Sequence, residues 1–313
     1  MAHVKKLGPR TSAEQAARGH DLTGKTVLLT GGNSGLGAET ARVLAGIGAR
    51  VIITSRRMSA GEKTAAAIQK AGPKGSVIVK QLDLADLKSV QALAADISAT
   101  EPRLDRLILN AGVMACPKSY TKQNFEIQMG TNHFGHFLLS QLLVDKMKAQ
   151  SFQSRIIVLS SKGHEWGPPE GIDFDDMHWR KKGYKTWTAY GQSKLANVLY
   201  AKDLAKRLEG SSVTAYSVHP GIILQTNLTQ HIGPMRIPGV PWLASFLPSM
   251  KTIPQGSATT VFAATAPGLE AHSGAYLQDC AVSAPNKQGQ DPELARKLWA
   301  STEDQIHAAL AAS

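Results

Sequence analysis

The sequence predicts an α/β protein built on a doubly wound parallel sheet of about seven strands, with helices on both faces. Three observations carry this prediction. Short apolar runs alternate with segments of helical spacing, the mark of repeated strand–helix–strand units. A glycine-rich turn joins the first such run to the first such helix. The chemistry-bearing residues fall at strand ends or on adjoining helices, where open parallel sheets bind ligands.

In order, the expected strands are Thr26–Thr30, Val51–Ser55, Ser76–Gln81, Arg106–Leu109, Arg155–Ser160, Val213–Val218 and Gly274–Leu277. Each is short and rich in Val, Ile, Leu or Thr, as a strand covered on both faces must be. Helix-like spacing fills 35–48, 59–71, 86–99, 122–149 and 188–208. The last places Leu195, Val198, Leu199, Ala201, Leu204 and Leu208 on an apolar stripe. Right-handed crossovers put these helices on both faces. The stretch from Gly221 to Pro254 carries Pro234, Pro238, Pro241, Pro248 and Pro254 among apolar residues that include Trp242. Proline at that density forbids one long helix, so a substrate lid is expected within 222–254, with a packing arm, a subunit contact or a membrane-touching patch as the alternatives.

The chain has 313 residues, 42% hydrophobic, with 28 glycines. A single domain over 23–313, preceded by a polar N-terminal extension over 1–22, accounts for that length. Cys116 and Cys280 are the only cysteines, which excludes a disulfide framework and favours a reducing, cytoplasmic setting. Residues 1–22 lack the apolar core of a secretory signal, and no run spans a bilayer. Peripheral contact with a membrane stays open. The net charge of +11 suits a phosphorylated ligand. No long basic run or aromatic–basic repeat suggests nucleic acid, and no metal is required.

Strand Thr26–Thr30 runs into Gly31-Gly32-Asn33-Ser34-Gly35-Leu36-Gly37 and then a helix. Glycines let a ligand approach the backbone, and the helix start offers amide protons and a positive dipole end to a diphosphate. This is the arrangement of a Rossmann-type fold. After the second strand comes Ser55-Arg56-Arg57, with no acid between Arg50 and Gly61. An acid there would hold ribose hydroxyls, whereas arginine accommodates a 2′-phosphate, so NADP(H) is expected over NAD(H). Tyr190 and Lys194 lie one helical turn apart, on one face. An ammonium beside a phenol is expected to lower its pKa and create an acid/base pair.

At this point the chain resembles the short-chain dehydrogenase/reductase family, from about Gly24 to Gly289. Thr30–Gly37 resembles its cofactor turn, Asp83-Leu84 its adenine contact and Asn110-Ala111-Gly112-Val113 its segment after the fourth strand. Pro220-Gly221 resembles the segment lining the nicotinamide, continued by Ile223 and Thr226. Asn132, Ser161, Tyr190 and Lys194 fall where the family has its catalytic tetrad. Thr131–Leu139, Ser160–His164, Pro169–Ile172 and Tyr190–Asn197 resemble retinol dehydrogenases, WW-domain oxidoreductases and the plant chloroplast-envelope Tic32 branch. Two departures are present: Leu109 replaces an asparagine of the usual Asn-Asn-Ala-Gly run, and Pro220–Thr226 is slightly longer than usual.

The resemblance implies hydride transfer between nicotinamide and a carbonyl or alcohol carbon. Tyr190 would be the acid/base and Ser161 the hydrogen-bond donor to the reacting oxygen. Lys194 would hold the ribose, and Asn132 would support a proton-relaying water. Val113, Met114, Trp166, Trp187 and Trp242, with Ser161, are candidate pocket residues for a lipophilic aldehyde, ketone or alcohol. The family also implies a homodimer seam of segments 122–149 and 188–208, which the apolar C-terminal stretch could assist or block. A second reading is an NADP(H)-sensing scaffold of the Tic32 type with little turnover.

Overall fold

The computed structural model describes residues 7–223 and 250–312. The sheet comprises β1 (Thr26–Leu29), β2 (Arg50–Ser55), β3 (Ser76–Gln81), β4 (Arg106–Leu109), β5 (Ser154–Leu159), β6 (Val213–His219), β7 (Tyr276–Gln278) and β8 (Ala281–Ser283). Their order is β3-β2-β1-β4-β5-β6-β7-β8. All pairings are parallel except the last, where β8 turns back on β7. The predicted strands match within two residues at their ends, and β8 is the addition. It is three exposed residues long, and its turn uses positive φ at Asp279 and Cys280 rather than a glycine, so neither periodicity nor turn chemistry marks it.

The helices are α1 (Ala13–Ala17), α2 (Gly35–Gly46), α3 (Met58–Lys70), α4 (Leu87–Thr100), α5 (Ile127–Met129), α6 (Gly135–Lys148), α7 (Thr186–Arg207), α8 (Ile253–Thr265) and α9 (Pro292–Ala311). Strand residues alternate between two cores because successive side chains point to opposite faces. Leu28, Ile52 and Leu107 join α4, α6, α7 and α9 on one side. Val27, Leu29, Val51, Ile53 and Ile108 join α1, α2, α3 and α8 on the other. The segment expected to be helical from 122 becomes so only at Ile127. Asn124 takes φ 63, and the Glu126 carboxylate caps the amides of Gln128 and Met129. Between α5 and α6, Gly130–Phe134 forms a π-helical turn that holds Asn132, a local widening common at functional sites.

Two long helices lay outside the sequence prediction, although their caps are legible. Thr252 and Gln255 form a capping box ahead of α8, and Asp291 with Pro292 opens α9. Helix α9 lies across α6 and α7. Trp299 stacks on Tyr200 and meets Phe137 edge-on, and His133 pairs with Thr302. Residues 189–201 of α7 are all buried within one chain, and the C-terminal helix packs against α7. Residues 224–249 hold most of the expected lid and lie outside the described residues. Their flanks meet through an Ile222–Met250 bridge and the Lys251 N–H to Ile222 C=O bond of 2.9 Å.

Candidate active site

Strand order reverses between β1 and β4, and the crevice outside their carboxyl ends is where such sheets bind ligands. The glycine turn closes one side. Gly31 takes φ 70, and a Cβ on it would lie 2.9 Å from Ala111 Cα; one on Gly37 would lie 2.2 Å from Gly31 O. These contacts explain why the turn needs glycine. The Thr30 hydroxyl accepts the amides of Asn110 (2.9 Å) and Ala111 (3.0 Å), and the Asn110 amide group donates to Thr30 O at 2.8 Å. The turn and the Asn110-Ala111-Gly112 segment are thus one rigid unit. Helix α2 begins at Gly35, after Asn33 and Ser34, so its first-turn amides face the crevice. Ile223 and Leu36 converge on Gly256, whose Cβ would meet them at 2.7 and 2.8 Å. The segment after β6 therefore reaches the cofactor turn.

At the end of β2, the Ser55 hydroxyl donates inward to Arg57 O at 2.8 Å. Its proton is therefore not directed at a ligand. Arg56 and Arg57 are exposed and, among the described residues, form no ion pair. The Asp83 carboxylate accepts the Ala85 amide at 3.0 Å, and Leu84 is buried beside Gly135. Thr226 and Trp242 lie outside the described residues.

The four tetrad candidates converge. Tyr190 and Lys194 are 2% and 4% exposed, and the Ser161 side chain lies close enough to the tyrosine to lower its pKa. Adjacent Ser160 is spent elsewhere, donating to Lys194 O at 2.7 Å. This separates the two serines: the first bonds a mid-helix carbonyl of α7 and the second faces the phenol. Among the described residues Lys194 Nζ has one acceptor, Leu159 O at 3.1 Å, so two of its three protons have no partner there. A Cβ on Gly112 would lie 3.5 Å from that Nζ and 3.1 Å from Asn132 Oδ1. The Asn132 side chain is fully engaged, accepting Val113 N–H at 2.8 Å and donating to Val113 O (3.0 Å) and Ser193 Oγ (2.9 Å). It fixes the wall that carries Val113 and Met114. Trp166 and Trp187, 50% and 43% exposed, meet edge to face at 5.7 Å beside Gly163 and Tyr190. They form an exposed aromatic pair rather than enclosed walls.

The model for short chain dehydrogenases matches residues 25–172. Retinol dehydrogenase 11 of Mus musculus is 45% identical over 279 residues, 89% of this chain and 85% of that protein. The chain belongs to the short-chain dehydrogenase/reductase family. Within it, the identity places the chain on the retinol dehydrogenase branch. An uncharacterised protein from Mycobacterium paratuberculosis superposes with a TM-score of 0.74 at 34% identity, covering 93% of this chain and 96% of that one. The RhlG/NADP complex of Pseudomonas aeruginosa superposes at 0.63, with 26% identity, over 82% and 95%. The protein is accordingly an oxidoreductase of alcohols and carbonyls that uses a nicotinamide cofactor. Among the described residues no helix is long and apolar enough to cross a membrane.

The electrostatics of this dehydrogenase site correct one expectation. Lys194 does not bring the tyrosine's pKa below its ordinary value. Burial pushes Tyr190 up to about 12, opposed by the Ser161 side chain, and pushes Lys194 down to about 8. In both groups desolvation is the leading cause of the shift. Burial also pushes the Cys116 and Cys280 thiols up to about 11, which disfavours the thiolate form.

Histidines were missed by sequence reasoning. His136 donates from Nδ1 to Asn132 O at 3.0 Å, and its Nε2 meets the Thr30 hydroxyl at 2.8 Å. It thus ties the cofactor turn to the tetrad asparagine. Its partners are a backbone atom and a residue 106 positions away, so no local pattern reveals them. Burial holds His133 and His136 down at about 3 and His219 at about 4. Between those values and 6.5 the unfolded chain binds protons that the folded chain does not. The stabilisation is complete above about 6.5 and is lost as pH falls towards 4 and then 3. Denaturant unfolding at about pH 7 and about pH 4.5 should therefore differ by on the order of several kcal/mol. Equal stabilities would mean that these rings are protonated in the fold.

Proposed function

We propose that the protein is an NADP(H)-dependent reductase of lipophilic aldehydes and ketones, running in reverse on the matching alcohols. The observation that carries this is the buried Tyr190–Ser161–Lys194 group. Its tyrosine is held protonated, and its lysine keeps two donors for ribose hydroxyls. The fit of a nicotinamide dinucleotide rests on those donors, on the first-turn amides of α2 and on the unpaired Arg56 and Arg57. Bound there, the cofactor supplies hydride exchange with the substrate carbon.

The protein's own residues do the rest. Tyr190 gives its proton to the carbonyl oxygen as that carbon is reduced, since a phenol that is protonated at neutral pH can serve as the acid. Ser161 hydrogen-bonds the same oxygen and stabilises its growing charge. Lys194 binds the ribose and restores the tyrosine's proton from solvent. Asn132 holds Val113, and through it the pocket wall, in place. Lipophilic substrates are supported by Val113, Met114 and the Trp166–Trp187 pair beside the tyrosine, and by the names of the retinol dehydrogenase relatives.

The 2′-phosphate reading rests on Arg56 and Arg57. A charge-assisted hydrogen bond to phosphate contributes about 1.5–3 kcal/mol. Replacing both arginines by serine should weaken NADPH binding by roughly 10- to 100-fold or more and leave NADH binding within about threefold. Equal losses for both cofactors, by fluorescence titration, would remove the basis for NADP selectivity.

A further inference from the structure

One peptide group at the reacting serine is held at both ends by imidazole. The Ser161 carbonyl takes a hydrogen bond from His164 Nδ1 at 2.7 Å. The N–H of the same peptide, on Lys162, donates to His219 Nδ1 at 3.0 Å. A carbonyl only accepts, so His164 carries its proton on Nδ1, and its Nε2 accepts the Asn286 amide at 3.1 Å. A backbone N–H only donates, so His219 Nδ1 is bare, and it also faces the Gly221 N–H at 3.4 Å. The two rings come from different elements, one after β5 and one at the end of β6.

Both rings are buried, which favours the neutral forms that these bonds need. Around His219 lie Lys162, His164 and the Lys251–Asp279 ion pair of 2.5 Å. His164 faces Lys162, Glu165 and the Tyr276 ring at 5.3 Å. The orientation of the gripped peptide is the backbone ψ of Ser161, 158°, and a turn of that peptide would carry the serine hydroxyl away from Tyr190. It would also move Gly163, where a Cβ would lie 2.8 Å from Tyr190 Cε1.

We propose that His164 and His219 are positioning residues that clamp the Ser161–Lys162 peptide, and that His219 locks this peptide to Gly221 across the site. The proposal rests on the reductase reading for its kinetic consequence and on geometry alone for the clamp. Neither ring touches the reacting atoms. They act by fixing the serine hydroxyl in register with the tyrosine, and a misplacement near 1 Å costs about 10²-fold in rate.

The test pairs His219→Leu, which removes the acceptor, with His219→Asn, whose Oδ1 can replace Nδ1. Steady-state kinetics with NADPH and amide hydrogen exchange at Lys162 and Gly221 are read together. The clamp predicts a kcat loss of roughly 10- to 100-fold in the leucine variant with KM within about threefold. It also predicts faster exchange at Lys162 and recovery of both readouts in the asparagine variant. A leucine variant with unchanged kcat and a protected Lys162 amide would overturn it. So would a folded asparagine variant as impaired as the leucine one. If His219→Leu does not fold, His164→Leu and His164→Asn decide on the same readouts, since the asparagine Nδ2 replaces the lost donor. If the unaltered protein reduces no carbonyl, the reductase reading falls, and the exchange data still decide the clamp.

Discussion

Replacing Tyr190 by phenylalanine is expected to lower kcat by about 10²- to 10⁴-fold, the range for a lost general acid, while NADPH binding stays within about twofold. The ring is buried and packs against Gly163, so phenylalanine keeps the volume and loses only the hydroxyl. Lys194 is held by Leu159 O rather than by the phenol, which is why cofactor affinity should survive. The substitution also removes the hydroxyl that faces Ser161, and that serine still accepts the Gly163 amide at 3.1 Å. A stopped-flow comparison with one carbonyl substrate separates binding from turnover. Turnover near that of the unaltered protein would mean that the proton comes from another group, and the assignment of the tyrosine would be wrong.

Ser161→Ala should cost about 10²- to 10³-fold in kcat, in line with the loss of one donor to a developing oxyanion. KM should change little, because the bond strengthens as charge grows on the oxygen. Ser160→Ala is the control. Its hydroxyl donates to Lys194 O inside the helix packing, so its loss should act on stability, by about 0.5–1.5 kcal/mol, with kcat within about threefold. The two serines are adjacent in sequence, and opposite outcomes for them would confirm the geometric separation. Equal kinetic losses at both positions would contradict it.

The sheet and the tetrad were legible because their signals are local. Val51–Ser55 and Ser76–Gln81 announce themselves by β-branched runs, the cofactor turn by its glycines, and Tyr190 with Lys194 by a one-turn spacing. What escaped depends on distance or on backbone atoms. The bonds of His136, His164 and His219 run to nearby carbonyls and to a hydroxyl and an amide brought in by other elements, and no residue pattern encodes a carbonyl. The tyrosine's pKa was misjudged because sequence gives the charge of Lys194 and not the burial of both groups, which prevails. Helix α1 illustrates the same limit. Three alanines of a polar extension, Ala13, Ala16 and Ala17, are core residues against α2 and α8, and alanine spacing is too weak a signal to show it.

The most direct test of the account is the consumption of NADPH and of NADH by the unaltered protein, followed by reduced-nicotinamide absorbance. The panel should include retinal, aromatic ketones, aliphatic aldehydes and a polar sugar. The account predicts turnover with NADPH on the lipophilic carbonyls, at least about tenfold slower turnover with NADH and little on the sugar. Tight NADPH binding without turnover on any carbonyl, or equal use of both cofactors with the sugar preferred, would contradict it.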